Sequence, residues 1–264
     1  MITLVLAGCN APPASIGGVV STNPCADQLL VALAPPARIA AISHYSQEAG
    51  ESSIPLDIAR RYRGVAGTAE EVIALKPDLV LASSFEPAAT LAAYRRLGLK
   101  VLVLDSPTTV AASRDQVRAV AAALGNPATG EALIARIDAA VAAARPSDKA
   151  RPNALLFIQG NFANGGPTLL GELMQRAGFR DASKDFGLAH SANVPIESVL
   201  ARPPDLLLEP DQAARDAELR RRVLAKAGRR VAEARFPRAL INCGGPTIVA
   251  ALQRLTAIRA GMTR

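Results

Sequence analysis

The chain has 264 residues, half of them hydrophobic, and this composition excludes an intrinsically disordered protein. Its formal net charge is +7, and much of the basic excess lies between residues 220 and 238. No nucleic-acid motif accompanies that run, so we interpret it as the solvated face of a helix and expect no nucleic-acid partner.

The first residues resemble the end of a lipoprotein signal. Leu6-Ala7-Gly8-Cys9 matches a lipobox, in which the cysteine is lipidated and becomes the mature N-terminus. The apolar run before it is short and lacks a basic start, which leaves the true start codon open. We expect export, with residues 1–17 as signal remnant and tether. The alternative is a short apolar tail on a cytosolic protein.

Strands alternate with helices along the rest of the chain, and this alternation predicts parallel α/β sheets. Thr68 is predicted to cap one helix, with Glu71 in the capping-box position. The predicted strands cover residues 18–22, 38–43, 65–67, 78–82, 100–104, 153–158, 206–208 and 239–242. The predicted helices cover residues 25–33, 68–75, 90–97, 109–124, 126–145, 196–201, 212–227 and 247–260, and one more ends near residue 178.

An alanine-rich helix over residues 126–145 lies near the middle of the chain. Asn126 is suited to cap it, Pro127 suits its first turn, and Pro146 ends it. We interpret this helix as a spine that joins two lobes.

The predicted fold class is therefore α/β, with two Rossmann-like lobes on parallel central sheets, one long joining helix and a ligand cleft between the lobes. The expected boundaries are an N-terminal lobe at 18–108, a helical linker at 109–146 and a C-terminal lobe at 147–264.

An internal echo supports two similar lobes. The segment from Glu70 to Leu81 matches the segment from Glu197 to Leu208 without a gap. Glu70 and Glu197 hold equivalent places at helix starts. Each carboxylate either simply favours its helix N-terminus or forms one of two matched acidic contacts for a two-fold symmetric partner.

Ligands of parallel α/β sheets bind beyond the carboxyl ends of the strands, which selects the residues just after the predicted strands. Aromatic rings there are suited to a large flat or apolar ligand, although Phe85 and Phe162 are equally compatible with local packing. The candidate ligand-binding residues at strand ends are His44, Tyr45, Ser84, Phe85, Gln159, Phe162 and Cys243.

Both histidines of the chain, His44 and His190, fall in predicted cleft loops. Neutral imidazole is a common metal ligand, so they either coordinate a metal centre, hydrogen-bond a polar ligand edge or are ordinary surface residues. We assign no metal site and expect no cofactor.

Cys25 and Cys243 remain if Cys9 is lipidated. Three hypotheses stay open: a disulfide that ties the lobes, free buried thiols, or thiolates that contact a metal or ligand.

These residues together resemble the helical-backbone class of ABC-transporter substrate-binding proteins, the periplasmic binders of ferric siderophores, haem and cobalamin. The resemblance covers residues 18–260, and its most specific parts are EEVIALKPDLVLAS, the central helix and ESVLARPPDLLL. The segments NPCADQLLVAL and CGGPTIVAAL are similar to those of a subgroup.

The resemblance implies a monomeric periplasmic receptor, not an enzyme, with little hinge motion. It implies a ferric siderophore or cobalamin/corrinoid as the captured metal chelate, with haem as the alternative. It also implies delivery to an ABC permease dimer with its ATPase at the inner membrane, where Glu70 and Glu197 would dock on permease arginines. Cobalamin binders of this class typically use tryptophans, and this chain has none.

Two hypotheses of other classes remain. One is an enzyme with Cys25 or Cys243 as nucleophile and His44 or His190 as base. No nucleophile elbow, P-loop or dinucleotide fingerprint supports it. The other is a cytosolic redox or metal sensor, favoured only if the lipobox is accidental.

Overall fold

The computed structural model describes residues 17–211 and 214–262, so the predicted lipidation site Cys9 lies outside the described residues. The first lobe is built on a five-stranded sheet in the order β3-β2-β1-β4-β5, in which neighbouring strands are parallel. Its strands are β1 (Val19–Ser21), β2 (Ile39–Ser43), β3 (Gly64–Val65), β4 (Leu79–Ser83) and β5 (Val101–Leu104). Its helices are α1 (Pro24–Leu33), α2 (Leu56–Ala59), α3 (Ala69–Ala74) and α4 (Ala88–Arg96).

Two helices connect the lobes, α5 (Val110–Ala123) and α6 (Pro127–Ala143). Helix α6 is the predicted spine, but α5 packs antiparallel beside it. Arg114 pairs with Asp138, and Arg118 pairs with Glu131, so the two chain directions oppose each other. Gly130 permits the close approach, because a Cβ there would come 2.5 Å from the Cβ of Ala121.

The second lobe has a mixed sheet, in the order β11-β10-β6-β7-β9, with β8 also paired to β6. The predicted parallel arrangement is confirmed for β11, β10, β6 and β8, whereas β7 and β9 are antiparallel to their neighbours and make this sheet mixed. Its strands are β6 (Asn153–Gln159), β7 (Phe162–Ala163), β8 (Arg180–Asp181), β9 (Ala192–Asn193), β10 (Leu206–Glu209) and β11 (Ala232–Arg235). Its helices are α7 (Leu169–Arg176), α8 (Ile196–Ala201), α9 (Ala214–Lys226) and α10 (Thr247–Met262).

Three local predictions are wrong in whole or in part. Residues 239–242 do not form a strand; a short 3₁₀ helix, Arg238–Leu240, lies there, and β11 is the last strand instead. Asn126 stands at the N-cap position of α6 as predicted, but its side chain forms no capping bond there and its amide donates instead to the carbonyl of Leu33 at 3.0 Å. Thr68 does cap α3, but the Glu71 carboxylate accepts from Ala66 N (2.8 Å) rather than closing a capping box.

The internal echo is a structural repeat. Helix α3 and strand β4 recur as α8 and β10 with the same internal spacing. The aspartates that precede β4 and β10 also make equivalent hydrogen bonds. Asp78 Oδ2 accepts from Gly18 N at 2.8 Å, and Asp205 Oδ2 accepts from Asn153 N at 2.7 Å. Each carboxylate thereby ties its strand to the start of the neighbouring parallel strand.

One hydrophobic core runs through both lobes. It includes Leu29 and Leu81 of the first lobe, Ile137 of α6, and Leu156 and Ile248 of the second. Separate clusters cover the outer face of each sheet. Because the interior is close-packed across the connection, we expect the lobes to resist reorientation.

Candidate functional site

The segment 236–243 contacts both the end of β10 in the second lobe and the loop after β2 in the first lobe. Phe236 N donates to the carbonyl of Glu209 at the end of β10, and Arg238 N donates to Asp211. From the first lobe, Glu51 forms an ion pair with Arg238 at 3.1 Å, and Ser53 Oγ donates to the carbonyl of Ala239. The candidate cleft therefore lies between the strand ends of the two lobes, as predicted for ligand binding in such sheets.

Three aromatic side chains at these strand ends are unusually open to solvent. Phe85 follows β4 and is 79% exposed, Tyr45 follows β2 and is 49% exposed, and Phe162 begins β7 and is 39% exposed. Large aromatic side chains normally bury most of their area, so exposed rings at the strand ends of both sheets indicate a surface for a partner or ligand. The alternative of local packing is wrong for Phe85, because most of its surface is free.

The polar candidates lie beside these rings. Ser84 is exposed, and its backbone N–H donates to the carbonyl of Leu104, which joins the ends of β4 and β5. Gln159 is exposed at the end of β6, directly opposite Phe162 across the β6–β7 pair. Both side chains face solvent at the carboxyl edge of their sheets.

His44 is held through one ring nitrogen, Nδ1. Its Nδ1 lies 3.1 Å from the carbonyl of Val65, which can only accept, so Nδ1 carries the proton. Its Nε2 lies 3.9 Å from the Glu48 carboxylate, and its ring contacts Tyr45 with centroids 4.0 Å apart. His190, by contrast, is exposed in the loop before β9. In the described part of the chain, no three His, Cys, Asp or Glu side chains are grouped to hold a metal ion.

Cys25 and Cys243 form a disulfide, with α-carbons 5.2 Å apart. The hypotheses of free thiols and of thiolate contacts are therefore wrong for the oxidised protein, and neither sulfur is a nucleophile in it. The bridge ties the first turn of α1 to the loop before α10. Gln28 strengthens the same junction by donating to the carbonyl of Gly244 and accepting from Thr247 Oγ1.

Asp27, in the first turn of α1, contacts Ser43 and Ser46 on either side of Tyr45, and it was not among the residues that the sequence predicted for the site. It is fully buried, and burial raises its pKa to about 7, against hydrogen bonds from Ser21, Ser46 and Ser43. The available signal was an acidic residue within a mostly apolar helical segment, CADQLLVAL.

The basic segment is partly structural. Arg220 is only 2% exposed and binds the Glu209 carboxylate through two nitrogens, with its guanidinium carbon 3.8 Å from the centre of the Phe157 ring. Burial raises the pKa of Glu209, and Arg220 counteracts that shift. Arg221 and Arg222 instead form exposed pairs with acidic neighbours on the surface.

Glu70 and Glu197 are exposed, each as the second residue of its helix, α3 and α8. Their equivalent positions follow from the structural repeat. No ion pair or hydrogen bond engages either carboxylate within residues 17–211 and 214–262.

The family model for periplasmic binding proteins matches residues 19–228. The chain belongs to the periplasmic binding protein family. Among curated proteins no match to this chain was found. Among the residues described, no helix combines the length and the apolar composition needed to cross a bilayer.

Solved structures share the fold of this periplasmic binding protein. The periplasmic heme-binding protein HutB of Vibrio cholerae aligns with TM-score 0.74 and 19% identity, covering 92% of this chain and 98% of that chain. Apo heme-binding RhuT from Roseiflexus sp. RS-1 aligns with TM-score 0.72 and 21% identity, covering 92% and 98%. Vitamin B12 binding protein BtuF of Vibrio cholerae aligns with TM-score 0.72 and 18% identity, covering 93% and 98%. These likenesses support the two-lobed α/β fold.

Proposed function

We propose that this protein is the extracytoplasmic receptor of an ABC importer for a metal chelate, either a ferric siderophore or a cobalamin or other corrinoid. The observation that carries the proposal is the set of exposed rings at the strand ends, Tyr45, Phe85 and Phe162. Flat, largely apolar rings on an otherwise rigid scaffold suit a large ligand with an apolar face, and no catalytic group is required.

The polar groups around these rings would select the edge of the chelate. Ser84, Gln159 and exposed His190 offer hydrogen bonds, and His44 presents Nε2 beside Tyr45. A chelate carries its own metal ligands, so the receptor needs no metal centre of its own. The disulfide Cys25–Cys243 contributes as a brace of the cleft.

Haem is the second candidate. HutB and RhuT are heme-binding proteins and BtuF is a vitamin B12 binding protein, while the three folds match this chain almost equally. The fold therefore does not discriminate between haem and a corrinoid. A cysteine-dependent enzyme is disfavoured because both candidate nucleophiles are joined in the disulfide.

The proposal includes the docking partner. Glu70 and Glu197, exposed and related by the structural repeat, would each contact one subunit of a permease dimer that works with an ATPase. Two equivalent carboxylates fit a two-fold symmetric partner. We further propose that the receptor is a monomer in the periplasm, anchored to the inner membrane through Cys9, with lobes at 18–108 and 147–264.

The test is ligand binding by purified protein. Absorption spectra and calorimetric titrations would be recorded with cobinamide, cyanocobalamin, haem and ferrichrome, each added separately. We expect one of them to bind with sub-micromolar affinity, which identifies the chelate class. Binding of none of the four would overturn the metal-chelate assignment.

A further inference from the structure

The short 3₁₀ helix after β2, His44–Gln47, is anchored to the first lobe at several points. The His44 ring donates to the carbonyl of Val65, and Gln47 Nε2 donates to the carbonyls of Ala59 and Tyr62 at 3.3 and 2.8 Å. These bonds hold the two ends of the turn against β3 and the end of α2.

The middle of the turn is held by the buried carboxylate of Asp27. Both of its oxygens lie 3.1 Å from Ser43 N, and Oδ2 accepts from Ser46 Oγ at 2.6 Å. Ser46 is itself fully buried. Hydrogen bonds to a charged acceptor are stronger than neutral ones, so this carboxylate is the firmest anchor of the turn.

Tyr45 points the other way. His44, Ser46 and Gln47 all turn towards partners in the lobe, whereas Tyr45 is half exposed at the carboxyl edge of the sheet. Its ring therefore takes its position from a turn that α1 holds from behind. A shift of that turn moves the ring relative to Phe85 in the same lobe and to Phe162 in the other lobe.

We propose that Asp27 is a positioning residue, whose carboxylate fixes the turn that presents Tyr45 to the chelate. This inference rests on the proposed function, since it assigns Tyr45 to the ligand surface. The ionised carboxylate accepts from both Ser43 and Ser46, whereas a protonated oxygen accepts more weakly. Burial places the pKa of Asp27 at about 7, so the turn is expected to loosen, and chelate affinity to fall, as the pH drops from 8 to 6.

The groups that face Asp27 from the neighbouring elements are uncharged: the hydroxyls of Ser21 in β1 and Ser46 in the turn, and the backbone N–H of Ser43 in β2. The turn and its C-terminal flank also carry His44 and Glu48, with Nε2 and Oε1 3.9 Å apart. A pH profile of the wild-type protein alone would not separate Asp27 from these two. The variant Asp27→Asn does, because it removes only the Asp27 titration.

The experiment combines hydrogen exchange with binding. Asp27→Ala should speed amide exchange in residues 43–48 at least tenfold and weaken binding of the probe by about tenfold, with cobinamide, cyanocobalamin, haem and ferrichrome each used as probes. Asp27→Asn can still accept from Ser43 N and donate to Ser46 Oγ. It should therefore bind with an affinity that changes less than twofold between pH 6 and 8, where wild type changes several-fold.

A double-variant cycle separates positioning from a general structural role. If Asp27 acts through Tyr45, Asp27→Ala should cost less than twofold in a Tyr45→Ala background. The matched control is Asp181→Asn, another buried aspartate, which accepts from Ser183 N in the second lobe. It should leave exchange in residues 43–48 and the pH profile of binding unchanged. If Asp27→Ala does not fold, Ser46→Ala removes the 2.6 Å bond alone and carries the same test.

The two proposals fail separately. Wild-type protein that binds none of the probes overturns the proposed function, while exchange in residues 43–48 still decides whether Asp27 holds the turn. Unchanged exchange in Asp27→Ala overturns the positioning role. The positioning role is also overturned if the affinity losses of Asp27→Ala and Tyr45→Ala multiply in the double variant, because the two residues then act independently.

Discussion

Cys25, in the first turn of α1, and Cys243, just before α10, are joined across 218 residues of sequence by a disulfide between the two lobes. The Glu51–Arg238 pair and the Gln28 hydrogen bonds lie at the same junction. Together with the continuous core, these contacts brace one side of the cleft. They fit a receptor whose shape is set before the ligand arrives.

Removing the disulfide should destabilise the protein without unfolding it. We expect Cys25→Ser combined with Cys243→Ser to lower the free energy of unfolding by about 2–4 kcal/mol, because the long unfolded loop is no longer closed. Denaturant unfolding monitored by circular dichroism measures this. Wild-type protein should lose a similar amount on reduction, whereas the double variant should not respond to reductant. Equal unfolding midpoints for wild type with and without reductant would contradict the prediction.

Phe85 should matter for binding and not for stability. Because its side chain is 79% exposed, Phe85→Ala removes little buried area, and we expect the unfolding midpoint to stay unchanged. Affinity for the chelate should fall about tenfold, roughly 1.4 kcal/mol, by calorimetric titration. Leu97→Ala is the control, since Leu97 is 59% exposed at the end of α4. Equal losses of affinity in the two variants would argue against Phe85 as a ligand contact.

Two arginines of the basic segment should differ sharply. Arg220→Ala leaves the Glu209 carboxylate buried without its partner, which should cost about 3–5 kcal/mol of stability. Arg222→Ala removes a side chain that is 71% exposed and should cost less than about 1 kcal/mol. Thermal and denaturant unfolding of the two variants make the comparison. Similar losses would show that the Arg220 pair is not the anchor of this part of α9.

Asp27 should give stability an unusual pH dependence. Its pKa is raised from 3.8 to about 7 in the folded protein, so between these values the folded state binds the proton more tightly than the unfolded state. Stability contributed by this group is therefore present at low pH and is lost as the pH rises towards 7.

The free energy of unfolding of wild type minus that of Asp27→Asn should fall by an amount on the order of a few kcal/mol between pH 4 and 8. Urea unfolding across that range measures the difference, in which the contributions of the other carboxylates to the pH dependence cancel. A difference that does not vary with pH would place the Asp27 pKa near its ordinary value. With the raised pKa, ionisation of Asp27 lowers the free energy of unfolding of the whole protein, while it strengthens the hydrogen bonds that hold the turn.

Glu70 and Glu197 should affect transport without affecting capture. Changing both to Arg reverses two exposed charges at matched helix starts, and we expect uptake of the chelate through the permease to fall at least tenfold. Chelate affinity should stay within twofold by titration, because neither residue lies at a strand end. Asp115→Arg, on the exposed side of α5, is the control and should transport normally. Normal uptake by the double variant would contradict the docking role.

Local sequence patterns were enough to predict most elements of this fold. Buried apolar runs located β1, β4, β6 and β10, and Thr68 before α3 marked a helix start that the structure confirms through a side-chain cap. The gapless echo located the repeat of α3–β4 in α8–β10. These features depend on residues close together in the chain, so their physical causes can be read there.

Features that depend on distant parts of the chain were not predicted from the sequence. Strand β11 has a charged, half-exposed sequence with no apolar run, and the antiparallel β7 and β9 are two-residue strands set by their partners. The Asn126 side chain donates to the carbonyl of Leu33 in α1 and does not cap its own helix. In each case a distant backbone group competed successfully with the local one.

The sequence by itself therefore determined the two-lobed α/β order, the repeat and the strand-end positions of Tyr45, Phe85 and Phe162. Only the tertiary structure decided the pairing of Cys25 with Cys243, because a disulfide requires nearness in space that spacing does not reveal. The burial of Asp27 beneath the turn that carries Tyr45 was decided in the same way. A pKa depends on solvent exclusion and on partners from other elements, and folding alone brings these together.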